Sequence, residues 1–90
     1  MIKKKVTIKN ASGLHARPSA ILVREAARFK SNFYIHLYGY RVNGKSILGV
    51  MTLAAECGAE LIFEFDGEDE HEAMEAITRL VENKFVIDDE

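Results

Sequence analysis

The chain of 90 residues has little of what braces a small fold covalently. Its one cysteine, Cys57, excludes an internal disulfide. It has one proline, Pro18, and no tryptophan. No apolar run approaches the roughly 18 residues that suggest a membrane span. The lysine-rich start, Met1-Ile2-Lys3-Lys4-Lys5-Val6-Thr7, leads into no apolar signal region. A cytoplasmic protein without membrane insertion is the expectation. Net charge is only −2, so the dense basic surface of a general nucleic-acid binder is missing. No repeat, low-complexity tract or linker divides the chain, and residues 1–90 are expected to form one domain. What is present is a globular composition: 48% hydrophobic and 29% charged residues argue against disorder.

The hydrophobic pattern switches period several times. Ile2 to Lys9 alternates, with Ile2, Val6 and Ile8 on one side and Lys4 breaking that side, which predicts a strand with one buried face. Ala16, Ala20, Val23 and Ala27 then recur at helical spacing, flanked by Ile21 and Phe29. They predict a helix over Ala16 to Phe29 with Arg24, Glu25, Arg28 and Lys30 in solvent. Phe33 to Val42 reads as a hairpin turning at Gly39, with Phe33, Ile35 and Leu37 inward. Ser46 is a good N-cap for a short apolar helix, Ile47 to Ala55, closed by Cys57-Gly58. Glu60 to Asp66 alternates as a strand. The last helix begins near Asp69, where Asp69-x-x-Glu72 fits a capping box, and its inner stripe is Ala73, Ile77, Leu80, Val81 and Lys84.

The order β-α-β-β-α-β-α places three helices against one antiparallel sheet, an α+β open-faced sandwich. Lys3, Lys5, Thr7, Tyr34, His36, Ile62 and Glu64 are expected on the uncovered face.

The stretch Gly13-Leu14-His15-Ala16-Arg17-Pro18 joins the first strand to the first helix. Gly13 suits a tight turn. Pro18 belongs in a first helical turn, since its missing N–H has no helical partner to lose. His15 then falls at or near the N-cap. The amides of Ala16 and Arg17 lack partners within the helix and sit at its positive end, a natural place for an anion. On position alone, His15 reads equally as a capping or surface histidine.

Two segments resemble one family. Gly13-Leu14-His15-Ala16-Arg17-Pro18 is similar to the active-site motif of HPr, the histidine-containing phosphocarrier family of the bacterial phosphotransferase system. Lys45-Ser46-Ile47-Leu48-Gly49-Val50-Met51-Thr52-Leu53 is similar to that family's regulatory-serine helix. The resemblance covers essentially the whole chain. It implies a four-stranded antiparallel sheet in order 1-4-2-3 with the three helices on one face. It implies that His15 is phosphorylated through Nδ1 and that Arg17 is its electrostatic partner. The phosphoryl group would come from enzyme I, charged by phosphoenolpyruvate, and go to IIA domains of sugar permeases. It further implies that Ser46 is phosphorylated by an ATP-dependent HPr kinase/phosphorylase, the product partnering a catabolite control protein. Ser19 and Ala20 replace the family's frequent Ala-Thr pair, Leu48 a frequent methionine and Ala54 a frequent glycine. Phe63 and Phe65 are bulky for the last strand.

The chemistry suits these residues. Neutral imidazole is a good nucleophile, and its phosphorylated form is a reactive donor. A helix N-terminus disfavours the imidazolium cation and offers N–H donors to phosphoryl oxygens, here from the backbone of Ala16 and Arg17. Arg17 adds a guanidinium that can follow the transferring group. No metal or other cofactor is needed, and a monomer is expected.

Ile47, Leu48 and Met51 read either as core or as a small docking surface, because a short helix that is apolar all round leaves some of them exposed. His36, His71 and Cys57 lack metal-ligand spacing, and the acids from Glu68 to Glu75 suit a helix start. Two alternatives come from other classes. A regulatory binding module would act mainly through Ser46, against which the presence of His15 speaks. A small RNA-binding α/β domain shares only the element order and would need an aromatic, basic sheet.

Overall fold

A computed structural model describes residues 1–11 and 13–85. The elements are β1 (Ile2–Thr7), α1 (Ala16–Ala26), β2 (Asn32–Leu37), β3 (Tyr40–Asn43), α2 (Ile47–Thr52), β4 (Glu60–Asp66) and α3 (Glu70–Glu82). The strands form one sheet in the order β1-β4-β2-β3, every neighbour antiparallel. This is the expected open-faced sandwich.

The inner face of the sheet carries Val6, Phe33, Ile35, Leu37, Leu61, Phe63 and Phe65, which join Leu22, Ala26, Val50, Ala73, Ile77 and Val81 from the helices. Register explains how the bulky phenylalanines fit. Phe33 lies opposite Phe65, and Ile35 opposite Phe63. The Phe33 ring stacks on Phe65 at 4.8 Å and meets Phe63 edge-on at 5.1 Å. Such aromatic pairs add about 0.5–1.5 kcal/mol beyond the area they bury. The other face leaves Lys3, Lys5, Thr7, Tyr34, His36, Ile62 and Glu64 partly or fully exposed, as their parity requires. There His36 pairs with Glu64 at 2.8 Å, and the Arg41 guanidinium lies 3.7 Å from the Tyr34 ring centre.

Several expectations need correction. β1 ends at Thr7 rather than Lys9, although Ile8 still bonds the main chain of Gly58 and Ala59. α1 ends at Ala26 rather than Phe29, and its inward face is rotated from the one expected. Pro18, Ser19, Leu22 and Ala26 are buried, whereas Ala16 and Ala27 are exposed. Leu22 offers far more apolar surface than any alanine, so it sets the phase. α2 ends at Thr52, three residues early, because Ala54 turns to φ +51° and leaves the helix.

Asp69 precedes α3 but makes no capping hydrogen bond within it. Its carboxylate instead accepts the N–H groups of Lys30 and Ser31 at 2.9 Å each, and the Ser31 hydroxyl, tying the chain after α1 to the start of α3. Lys84 is exposed and lies beyond α3 at φ +57°, so it is not part of the inner stripe; Phe85 is buried instead.

Candidate functional site

His15 is the N-cap of α1, with extended backbone at φ −86° and ψ −165°. It is exposed, as are Ala16 and Arg17. The helical ladder includes the bond from Ser19 N–H to His15 C=O at 3.0 Å. The amides of Ala16 and Arg17 come before that rung and have no acceptor within the helix. They occupy the positive end of an 11-residue dipole.

The loop before His15 is held from beneath. Gly13 has φ +71°, and a Cβ there would run into the carbonyl oxygen of Ala55. Gly13 is therefore required twice, by its conformation and by the close approach of the Ala55 backbone. Leu14 is buried and donates its N–H to Ala55 C=O at 2.8 Å. The Asn10 side-chain Nδ2 donates to Gly13 C=O at 2.6 Å, and the Ser19 hydroxyl to Leu14 C=O at 3.2 Å. Sequence reasoning missed Asn10, Leu14, Ser19 and Ala55. The available signal was Ser19, a polar residue three positions before Leu22 on the apolar face.

Ser46 caps α2, its Oγ accepting Gly49 N–H at 3.1 Å. Just before it, Lys45 Nζ donates to Phe29 C=O at 2.7 Å, beyond the C-terminal end of α1. The chain leaving α2 reaches Leu14, before the N-terminal end of α1, through Ala55. α2 therefore runs back along α1, and Ser46 and His15 lie toward opposite ends of a helix about 16 Å long. Of the apolar α2 residues, Val50 is buried, while Ile47, Leu48 and Met51 are 40%, 73% and 38% exposed. The structure thus brings His15 and Arg17 onto one helical turn, and places Ser46 apart from them beside the apolar patch.

Residues 2–83 match the family model described as "PTS HPr component phosphorylation site". The chain belongs to the HPr family. The phosphocarrier protein HPr of Treponema pallidum is 48% identical over 85 residues, covering 94% of this chain and 97% of that protein. The HPr-like protein Crh of Halalkalibacterium halodurans is 44% identical over 84 residues, covering 93% of this chain and 100% of Crh. Among solved structures, an HPr from Thermoanaerobacter tengcongensis superposes with a TM-score of 0.91 at 40% identity, covering 94% of this chain and 96% of that one. Membership of the HPr family makes this a phosphocarrier fold of the phosphotransferase system. Among the described residues, no helix is long and apolar enough to cross a membrane.

Proposed function

We propose that this chain carries a phosphoryl group on His15, taken from phosphorylated enzyme I and passed to IIA domains of sugar permeases. One observation carries the reading. An exposed histidine caps a helix whose first amides lie ahead of the hydrogen-bonded ladder, inside the motif of a family named for a phosphorylation site. The lone pair of Nδ1 attacks phosphorus as the bond to the donor breaks, and a P–N bond forms. The transition state is loose, so placement and charge stabilisation do most of the work. The amides of Ala16 and Arg17 and the Arg17 guanidinium receive the phosphoryl oxygens. The reverse sequence delivers the group to the acceptor.

Ile47, Leu48 and Met51 dock the partners, since an exposed apolar patch on the helix packed along α1 loses water on contact. Phosphorylation of Ser46 by an HPr kinase/phosphorylase adds nearly two negative charges beside that patch. It weakens docking to enzyme I and creates a form suited to a catabolite control protein. The protein acts as a single cytoplasmic domain, a monomer without a cofactor.

The test is to incubate the protein with enzyme I and labelled phosphoenolpyruvate, beside His15→Ala. An acid-labile label absent from the variant supports the carrier; label retained by the variant refutes it. Similarity to Crh favours a second reading, a regulatory module acting mainly through Ser46. That reading predicts an acid-stable label from ATP and the kinase, and none from enzyme I.

A further inference from the structure

Three polar or charged residues are buried among the described residues: Asn10, Ser19 and Ser31. Burying a polar side chain is costly unless it makes a hydrogen bond. Ser31 spends its hydroxyl on Asp69, far from the reactive turn. The other two point at consecutive carbonyls, those of Gly13 and Leu14, immediately before His15.

We infer that Asn10 and Ser19 are positioning residues for phosphoryl transfer, because they turn these two carbonyls inward. The inference rests on the phosphocarrier reading of His15. Each peptide is planar and trans, so its C=O and N–H point in opposite directions. Asn10 holds the carbonyl of the Gly13–Leu14 peptide, while Ala55 accepts its N–H. That plane is fixed at both ends. Ser19 holds the carbonyl of the Leu14–His15 peptide against the 0%-exposed base of α1.

A carbonyl oxygen is the negative end of its dipole. Facing outward, it would repel the oxygens of an arriving phosphoryl group. Facing inward, it keeps that repulsion away from the turn beside the first amides of α1. The Leu14–His15 plane also sets φ of His15, and with it the direction of the ring. Ser19 does this from one turn inside the helix, where the hydroxyl cannot swing into water.

Steady-state phosphorylation by enzyme I and phosphoenolpyruvate, with this protein as the varied substrate, tests the inference. Ser19→Ala removes the hydroxyl without adding volume. It is expected to lower kcat about fivefold, the scale of one neutral hydrogen bond, with KM unchanged because the α2 surface is untouched. Asn10→Ala is expected to do the same. A loss of folded protein would instead dilute the competent substrate and raise the apparent KM. Ser31→Ala is the control: it removes an equally buried hydroxyl and is expected to lower thermal stability with kcat unchanged. NMR spectra of the His15 ring should shift in Ser19→Ala and stay in place in Ser31→Ala. Wild-type kcat in both Asn10→Ala and Ser19→Ala, or an effect confined to KM, overturns the inference. Failure of the wild-type protein to take label would refute the carrier reading itself.

Discussion

At Ala54 the backbone has φ +51°, a region where a Cβ costs roughly 1–2 kcal/mol. Glycine removes that penalty but gains freedom in the unfolded chain, which offsets part of it. Ala54→Gly is expected to stabilise the protein by about 0.5 kcal/mol, read as a higher urea midpoint at unchanged slope. Asp69 acts by charge. The Ser31 hydroxyl, with the Lys30 and Ser31 amides, holds its carboxyl below the usual carboxylate range. A lowered folded-state value means this contribution is complete above the ordinary aspartate pKa of about 3.9 and is lost as pH falls through the folded one. Asp69→Asn should lower the urea midpoint at neutral pH and flatten its fall on acidification; an unchanged acid limb would contradict this account. That Asp69 begins a helix was legible from its place before an acidic run. Its partners were not, because they lie 38 and 39 residues away in the chain.

For the elements, the type of each was legible and the phase of α1 was not. Alanines at 16, 20 and 27 repeat with helical period, yet they carry too little apolar surface to decide which side turns inward. Leu22 decides it, and Ser19 follows inward because Leu14 C=O is there to accept its hydroxyl. The turn containing His15 was legible because glycine, proline and an exposed N-cap each have a local conformational reason. The platform beneath it was not, since Ala55 approaches from another part of the chain. α2 separates two roles that its residues combine. Ser46→Ala loses the bond to Gly49 N–H and should cost about 1 kcal/mol. Leu48 is 73% exposed, so Leu48→Ala should change stability by less than about 0.5 kcal/mol. If the patch docks enzyme I, the same variant should raise KM for phosphorylation several-fold while kcat holds. Equal KM values for Leu48→Ala and wild type would remove this residue from the interface.

Across the whole molecule, the turn containing His15 and the core are one packed unit. Leu14 and Ala55, which join the His15 loop to the exit of α2, are 3% and 4% exposed and belong to the same cluster as the phenylalanines of the sheet. Phe63 is fully buried, touches two other rings and lies on β4 between β1 and β2. Phe63→Ala should cost about 3–5 kcal/mol. A domain of this length has of the order of 5–13 kcal/mol in all, so the variant loses a large share of its stability and is best compared near its temperature of maximum stability. There, labelling by enzyme I should be nearly normal, because no group on the His15 turn has been removed. On warming, labelling by enzyme I should disappear with the midpoint seen by circular dichroism, since opening the His15 platform means exposing Leu14 and Ala55 along with the core. Labelling that failed well below that midpoint would show the turn opening on its own, and the platform would then be a local structure rather than an extension of the core.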